Sequence, residues 1–395
     1  MSQAQTPLPQ PLDGVRVVEL AHWMAGPAAG GVLSDWGAEV IKVEPAGGEP
    51  MRHIWGSMGA KADAPNGAFI SANRGKKSIE LDLRSDEGLT CLHALLDEAD
   101  VLLTNLRPGA LDRLGLSPAA VQERHSRLVY CSLTAYGWGG PDQDEAGYDL
   151  AAFFGRTGIA HEITTQGTPP AALLQGLGDT FTAMTAVAGI LAALLERQRT
   201  GRGRLVEASL MRTGMWALAG ELGVQAMGGH PRPPRPRENS ATPLYNSYRS
   251  KDDRWFYLVG VQAGRHLPRV LQAIGRPDLL QDERFGSARA ISLNRADFIP
   301  ILDAAFATRT LAQWTEVFRD CDVWWAPVQT PAEVITDPQA RASGAWIVID
   351  ELGAESVDSP IRFGGRSRDR APRPPRSGEH TAEILGRLSP RPQDA

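Results

Sequence analysis

Cysteine is the scarcest residue in this 395-residue sequence, with only Cys91, Cys131 and Cys321, each far from the others. Thiols so spaced form no CxxC pair and no disulfide framework, which fits a reducing compartment and a cytoplasmic protein. Histidine is nearly as sparse. Its eight residues show no HxH or HxxxH spacing, so no metal site is expected. An excess of positive charge is also missing: 41 Lys and Arg against 46 Asp and Glu leave a net charge of −5 and a pI near 6.0. That balance excludes nucleic acid as the main partner. Residues 1–11 contain no apolar stretch of export-signal type. The longest apolar run, residues 181–195, is too short and too quickly followed by Arg197, Arg199 and Arg202 to span a membrane.

What is present is ordinary globular composition, 42% hydrophobic and 22% charged, in a chain long enough for two domains. Apolar, β-branched segments predict strands over residues 15–20, 38–44, 78–83, 101–105 and 128–133. Helices are expected between them, one opening at Gly26-Pro27 and others over residues 86–98 and 117–125. Strands and helices in alternation predict an α/β fold with a Rossmann-like, doubly wound parallel sheet. A further strand over 205–209 and a helix over 211–227 follow. The proline-rich stretch 228–237 is a stiff crossing into a smaller α+β domain, with a strand over 255–261 and helices over 265–273 and 311–318. The Arg- and Pro-rich tail, residues 366–376, reads as a solvated extended strap.

Glu44 closing the second strand behind a glycine-rich turn imitates a dinucleotide-binding fingerprint. However, Gly26, Gly30 and Gly31 do not fit GxGxxG, and Pro27 removes an amide donor. More informative is Asp179, in Gly176-Leu177-Gly178-Asp179-Thr180 at the mouth of the apolar run. The small residues of that run predict a helix buried all round. Asp179 fits two roles before it, helix cap or carboxylate nucleophile, and Thr182 at the third position leaves a capping box incomplete. A helix dipole would keep it ionised at neutral pH. Gly176 and Gly178 either leave room for a substrate beside it, with amides free for an oxyanion, or simply shape the turn.

Taken together, the motifs resemble the family III CoA-transferases over nearly the whole chain. They run in order from Pro11-Leu12-Asp13-Gly14-Val15-Arg16-Val17, Ala25-Gly26-Pro27 and Trp36-Gly37-Ala38-Glu39-Val40-Ile41-Lys42-Val43-Glu44 to Asn73-Arg74-Gly75-Lys76-Lys77-Ser78-Ile79-Glu80-Leu81-Asp82-Leu83 and Asn105-Leu106-Arg107-Pro108-Gly109. Gly147-Tyr148-Asp149, Gly178-Asp179, Thr200-Gly201-Arg202-Gly203 and Gly378-Glu379-His380-Thr381 complete the series. The resemblance implies that Asp179 is the nucleophile of a CoA-transferase. It would move CoA from an acyl-CoA to a carboxylic acid through a covalent aspartyl intermediate, with no resident cofactor and a CoA thioester as substrate. It also implies a CoA site of Met24, Ala25, Leu81, Asp82, Leu83, Arg84, Asn105, Leu106, Arg107, Arg113, Ala146, Gly147, Tyr148 and Asp149. Within that implied site, Arg84, Arg107 and Arg113 suit the phosphates, because guanidinium forks match phosphate oxygens; without the resemblance each reads as a solvated surface arginine. Ala146 and Pro45 stand where some members carry basic residues, so part of that contact differs here.

Two alternatives accompany this reading. An α-methylacyl-CoA racemase would share the fold and the aspartate, but this chain has Tyr148 where racemases carry histidine, and Thr180-Phe181-Thr182 where they run glycines. A non-catalytic acyl-CoA-binding protein would keep the fold alone. Residues 239–246 lack the glycine-rich loop of formyl-CoA:oxalate members. The expected organisation is a large domain over 11–224, a small domain with linkers over 225–335, and a segment over 336–395 returning to the large domain. By resemblance, two such chains interlock as a homodimer.

Overall fold

The computed structural model describes residues 9–54, 65–171, 173–230, 236–364 and 368–388. The first six strands are β1 (Arg16–Leu20), β2 (Glu39–Glu44), β3 (Lys77–Glu80), β4 (Val101–Thr104), β5 (Val129–Thr134) and β6 (Leu205–Ser209). They form one sheet in the order β3-β2-β1-β4-β5-β6, every neighbour parallel. Val17 pairs with Val40 on one side and Val101 on the other. Because successive side chains point to opposite faces, Val17, Val40 and Val101 enter one core while Val18, Ile41 and Leu102 enter another.

Helices Ala25–Asp35 and Leu177–Thr200 cover the first face through Ala29, Leu33, Ala186, Val187 and Ile190. Helices Asp86–Asp97, Pro108–Arg113 and Pro118–Arg124 cover the second through Leu92, Leu95, Leu111 and Val121. Both faces are wound, as the alternation predicts. The helix Leu177–Thr200 departs from the expected all-round burial. Ala183, Ala186, Val187, Ile190, Ala193 and Leu194 are buried on one side, while Phe181, Ala188, Ala192 and Leu195 are exposed on the other. It is long and apolar enough by composition to cross a membrane, but its inner face is part of the sheet's core. The helix expected over 211–227 is two, Leu210–Ala217 and Ala219–Ala226, broken at Leu218.

The chain divides into two compact units, one of residues 1–161, 171–231 and 341–395, the other of residues 162–170 and 232–340. In the second, antiparallel strands β7 (Tyr245–Arg249), β8 (Trp255–Val259) and β9 (Trp325–Pro327) pack on helices through Phe256, Phe306, Trp314 and Phe318. The expected proline strap lies outside the described residues over 231–235.

The tail is not a solvated strap where it is described. Arg370–Ala371 pairs with Trp346–Ile349, and Arg373 holds Glu351 and Glu379. Beyond it, Gly378 N donates to Ser78 Oγ at 3.0 Å, and His380 N to the Ser78 carbonyl at 2.8 Å. The terminal motif thus closes the exposed edge of β3.

Beneath the sheet's C-terminal edge lies a cluster of fully buried charges. Lys42 Nζ meets Glu19 Oε1 at 2.8 Å and Glu49 Oε1 at 2.7 Å, and Lys76 Nζ meets Glu19 Oε2 at 2.6 Å. Two ammoniums against two carboxylates leave no net charge, and the Asn73 side chain, Ala21 O and Pro27 O take remaining hydrogens. Removing Lys42 would leave Glu49 without its cation and the cluster with one uncompensated negative charge away from solvent. Lys42→Met is therefore expected to lower unfolding free energy by about 3–5 kcal/mol. Urea denaturation checks this, and a loss below about 1 kcal/mol would show that the cluster does not support the sheet.

Candidate active site

Strand order reverses between β1 and β4, the place where doubly wound sheets form a crevice beyond the C-terminal ends of their strands. Asn105, just past β4, bridges it: its Oδ1 accepts from His22 N at 3.0 Å and its Nδ2 donates to His22 O at 2.7 Å. The next residue, Trp23, has φ of 63°, a conformation tryptophan rarely takes. It is held there because its amide donates to buried Glu49 Oε2 at 2.7 Å. Its ring meets Tyr148 edge-on, centroids 5.8 Å apart. Tyr148 is 63% exposed and so is not a core aromatic.

The helix carrying Asp179 begins at Leu177, three residues earlier than the cap reading requires. Its N-cap is Gly176, at φ 84°, and Asp179 lies inside the first turn, so it caps nothing. The turn is fixed by Asp149, whose Oδ2 accepts from Gly176 N at 2.7 Å and Gly178 N at 3.3 Å. These amides are therefore not free for an oxyanion. Gly178 is glycine because a Cβ there would fall 2.6 Å from Phe153 Cγ and 2.9 Å from Asp149 Cβ, not to admit substrate. Met24 Cε approaches Gly176 from the β1 side, linking the two halves of the site.

Burial, then the nearby charge of Asp149, pushes the Asp179 carboxyl up to about 7. The helix dipole does not keep it fully ionised at neutral pH, because loss of solvent outweighs it. Among the described residues it is the carboxyl raised above the ordinary range, while Glu44 is lowered to about 2 despite burial, held by Arg52 and Ser78.

The sequence-derived residues divide into three groups. Met24, Ala25, Asn105, Leu106, Gly147, Tyr148 and Asp149 gather around the crevice and the Asp149 turn. Arg107 is exposed and donates to the Asp144 carbonyl at 3.1 Å, while Arg113 and Ala146 are exposed. At the end of β3, two strands from β1, the Leu81 side chain is in the core and Leu83 packs on its edge, so Leu81 offers only backbone. Arg84 there is paired with Asp82 at 2.9 Å, both exposed.

His22, Trp23, Glu49 and Phe153 escaped the sequence reading. His22 is largely buried, its pKa lowered by that burial, and its Nδ1 has no hydrogen-bond partner among the described residues. Lys42 within an apolar strand was the available signal, since a buried lysine demands acidic partners.

Residues 12–381 match the model of CoA-transferase family III. The chain is 32% identical over 387 residues to the (R)-2-hydroxy-4-methylpentanoate CoA-transferase of Clostridioides difficile, covering 95% of each. It is 35% identical over 379 residues to the cinnamoyl-CoA:phenyllactate CoA-transferase of Clostridium sporogenes, covering 94% of this chain and 92% of the relative. A CAIB/BAIF family protein from Brucella suis superposes with a TM-score of 0.84 at 31% identity, over 97% of this chain and 100% of that one. Rv3272 from Mycobacterium tuberculosis, in its orthorhombic form, gives 0.84 at 30% identity, over 96% and 100%.

Asp149 and Asp179 form a pair in which one carboxylate raises the other. Asp149→Asn keeps an acceptor for the two glycine amides but removes the like charge. The Asp179 carboxyl, followed by carbon-13 NMR, is expected to titrate lower than its starting value of about 7 while staying above an exposed aspartate, since burial remains. A value unchanged or higher in the variant would show that Asp149 does not act on Asp179 through its charge.

Proposed function

Because the chain belongs to CoA-transferase family III, we propose that Asp179 is the carboxylate through which it works. The enzyme is a CoA-transferase acting through a covalent aspartyl intermediate, with a CoA thioester as substrate and no resident cofactor. The observation supporting Asp179 is its carboxyl, raised to about 7 in the first turn of a helix at the sheet's switch point.

An Asp179 oxygen attacks the thioester carbonyl and CoA thiolate leaves, giving an acyl-aspartyl anhydride. The thiolate attacks the aspartyl carbonyl, releasing the first acid and leaving an aspartyl-CoA thioester. The acceptor carboxylate attacks that thioester and expels thiolate, forming a second anhydride. Thiolate attack at its acyl carbonyl yields the new acyl-CoA and frees Asp179. A carboxylate poor in solvent is the better nucleophile, and the same burial keeps water from the anhydride. Met24, Ala25, Asn105 and Leu106 would line the pantetheine path, with Arg107, Arg113 and Arg84 toward the phosphates. Tyr148, exposed beside Trp23, fits a gate.

Incubation with an acyl-CoA that turns over should leave an Asp179 adduct that hydroxylamine converts to the hydroxamate. Asp179→Ala should fold and lose transfer by roughly three orders of magnitude or more. Transfer at the original rate in that variant, measured by product mass, would rule out Asp179 as the nucleophile.

The working unit is, on this reading, an interlocked homodimer in the cytoplasm. Support comes from apolar side chains that one chain leaves uncovered: Phe181 and Leu195 on the long helix, and Trp216 and Met227 beyond it, the last two 80% and 83% exposed. Sedimentation should show a dimer that persists at nanomolar concentration, because linked chains part only on unfolding. A species of 42.6 kDa under native conditions would end this assignment.

A further inference from the structure

Beside the Asp149 turn lies a cavity of about 230 Å³ bordered by Asp149, Leu150, Phe154, Leu173, Leu174 and Gln175. Phe154 is buried, and Leu173 packs on the same apolar cluster as Ala152, Phe153 and Leu210. Two leucines at the cavity, Leu150 and Leu174, are 56% and 76% exposed, which core packing does not explain. The cavity is joined to Asp179 by the chain itself. Gln175 precedes the Gly176 N-cap, and Asp149, which anchors that N-cap, is also a wall. Among the described residues no lysine, arginine or histidine borders the space, and the one charge there is the Asp149 carboxylate.

We propose that this cavity receives the hydrocarbon part of the transferred acids and selects monocarboxylates with a branched or aromatic chain over dicarboxylates. This rests on the assignment of Asp179 as nucleophile. A second carboxylate on the substrate would lose its water, find no cation and lie near a like charge. An apolar chain meets leucine and phenylalanine instead. The size fits: a cavity of roughly 150 Å³ holds benzene, so this one takes a phenyl ring with a methylene, or an isobutyl group with room left. Donor and acceptor acids are joined in turn to the same Asp179 carboxyl. One cavity therefore serves both, and both acids belong to the same class.

Isotope exchange tests one acid at a time without knowledge of its natural partner. Each acyl-CoA is incubated with its own carbon-13-labelled acid, and label entering the thioester is read by mass spectrometry. The probes are 4-methylpentanoate and 3-phenylpropanoate against succinate and glutarate. The apolar acids should exchange at least about 100-fold more efficiently than the dicarboxylates, an outcome within reach of pocket contacts that leave a charge unpaired. Leu174→Arg, at an exposed position that tolerates a long side chain, should narrow that ratio at least about tenfold. Leu173→Ala should reduce apolar exchange by a similar factor and leave dicarboxylate exchange unchanged. Dicarboxylate exchange equal to or faster than apolar exchange would overturn the pocket and leave the transferase standing, as would an unchanged ratio in Leu174→Arg. No exchange with any acid, and no adduct on Asp179, would overturn the nucleophile assignment and the pocket with it.

Discussion

The site depends on one buried carboxylate accepting two backbone amides. Asp149 Oδ2 gathers the amides of Gly176 and Gly178, and in doing so bends the chain into a left-handed N-cap and starts the long helix beneath Asp179. A charge-assisted hydrogen bond to a backbone amide is among the stronger kinds, and this pair is shielded from water. The consequence reaches the chemistry, because the same negative charge adds to burial in holding protons on Asp179. Asp149 uses its hydrogen-bonding capacity on architecture, while Asp179 accepts no hydrogen bond from the described residues.

The opposite wall is held by a longer chain of dependence. Glu49 accepts the Trp23 amide in the interior because Lys42 neutralises it, and Lys42 is held in turn by Glu19, whose other oxygen pairs with Lys76. Trp23 in turn sets its ring against Tyr148. A buried ion cluster contributes little to net stability compared with apolar side chains of the same volume. Here it offers orientation that apolar side chains lack, since it fixes a tryptophan backbone at positive φ beside the crevice.

Much of this fold was legible in the sequence, because parallel strands covered on both faces read as apolar runs. Strands expected over 15–20 and 38–44 begin only one residue later, at Arg16 and Glu39. Tyr245–Arg249 was not anticipated: its sequence, Tyr-Asn-Ser-Tyr-Arg, buries only Tyr248, so its pattern resembles a loop. The start of the long helix was misplaced because Gly178 looks like part of a turn. Glycine is there to clear Phe153, a contact from 25 positions earlier that local sequence cannot express. For the site, Asp179 and its neighbours at the strand ends were named from motifs, while Glu49 and Trp23 were not. Their roles arise from tertiary pairing, and only the lysine in β2 and the glutamate in β1, at odds with their apolar surroundings, hinted at it.

Raising a carboxyl to about 7 is a cost carried by the native state. In the unfolded chain Asp179 titrates near its ordinary 3.8, so between about 4 and 7 the folded protein binds a proton that the unfolded one has released. Folding stability from this group therefore falls as pH rises through that window, and the full penalty is present at neutral pH and above. The penalty is the ionised carboxylate's lost solvation, which is the property the proposed attack on a thioester would draw on. Asp149 adds to it through like charge while stabilising the turn through two hydrogen bonds, so the residue that most opposes ionisation of Asp179 also holds it in place. Apolar packing of the long helix on the sheet, through Ala186, Val187 and Ile190, is what tolerates that opposition.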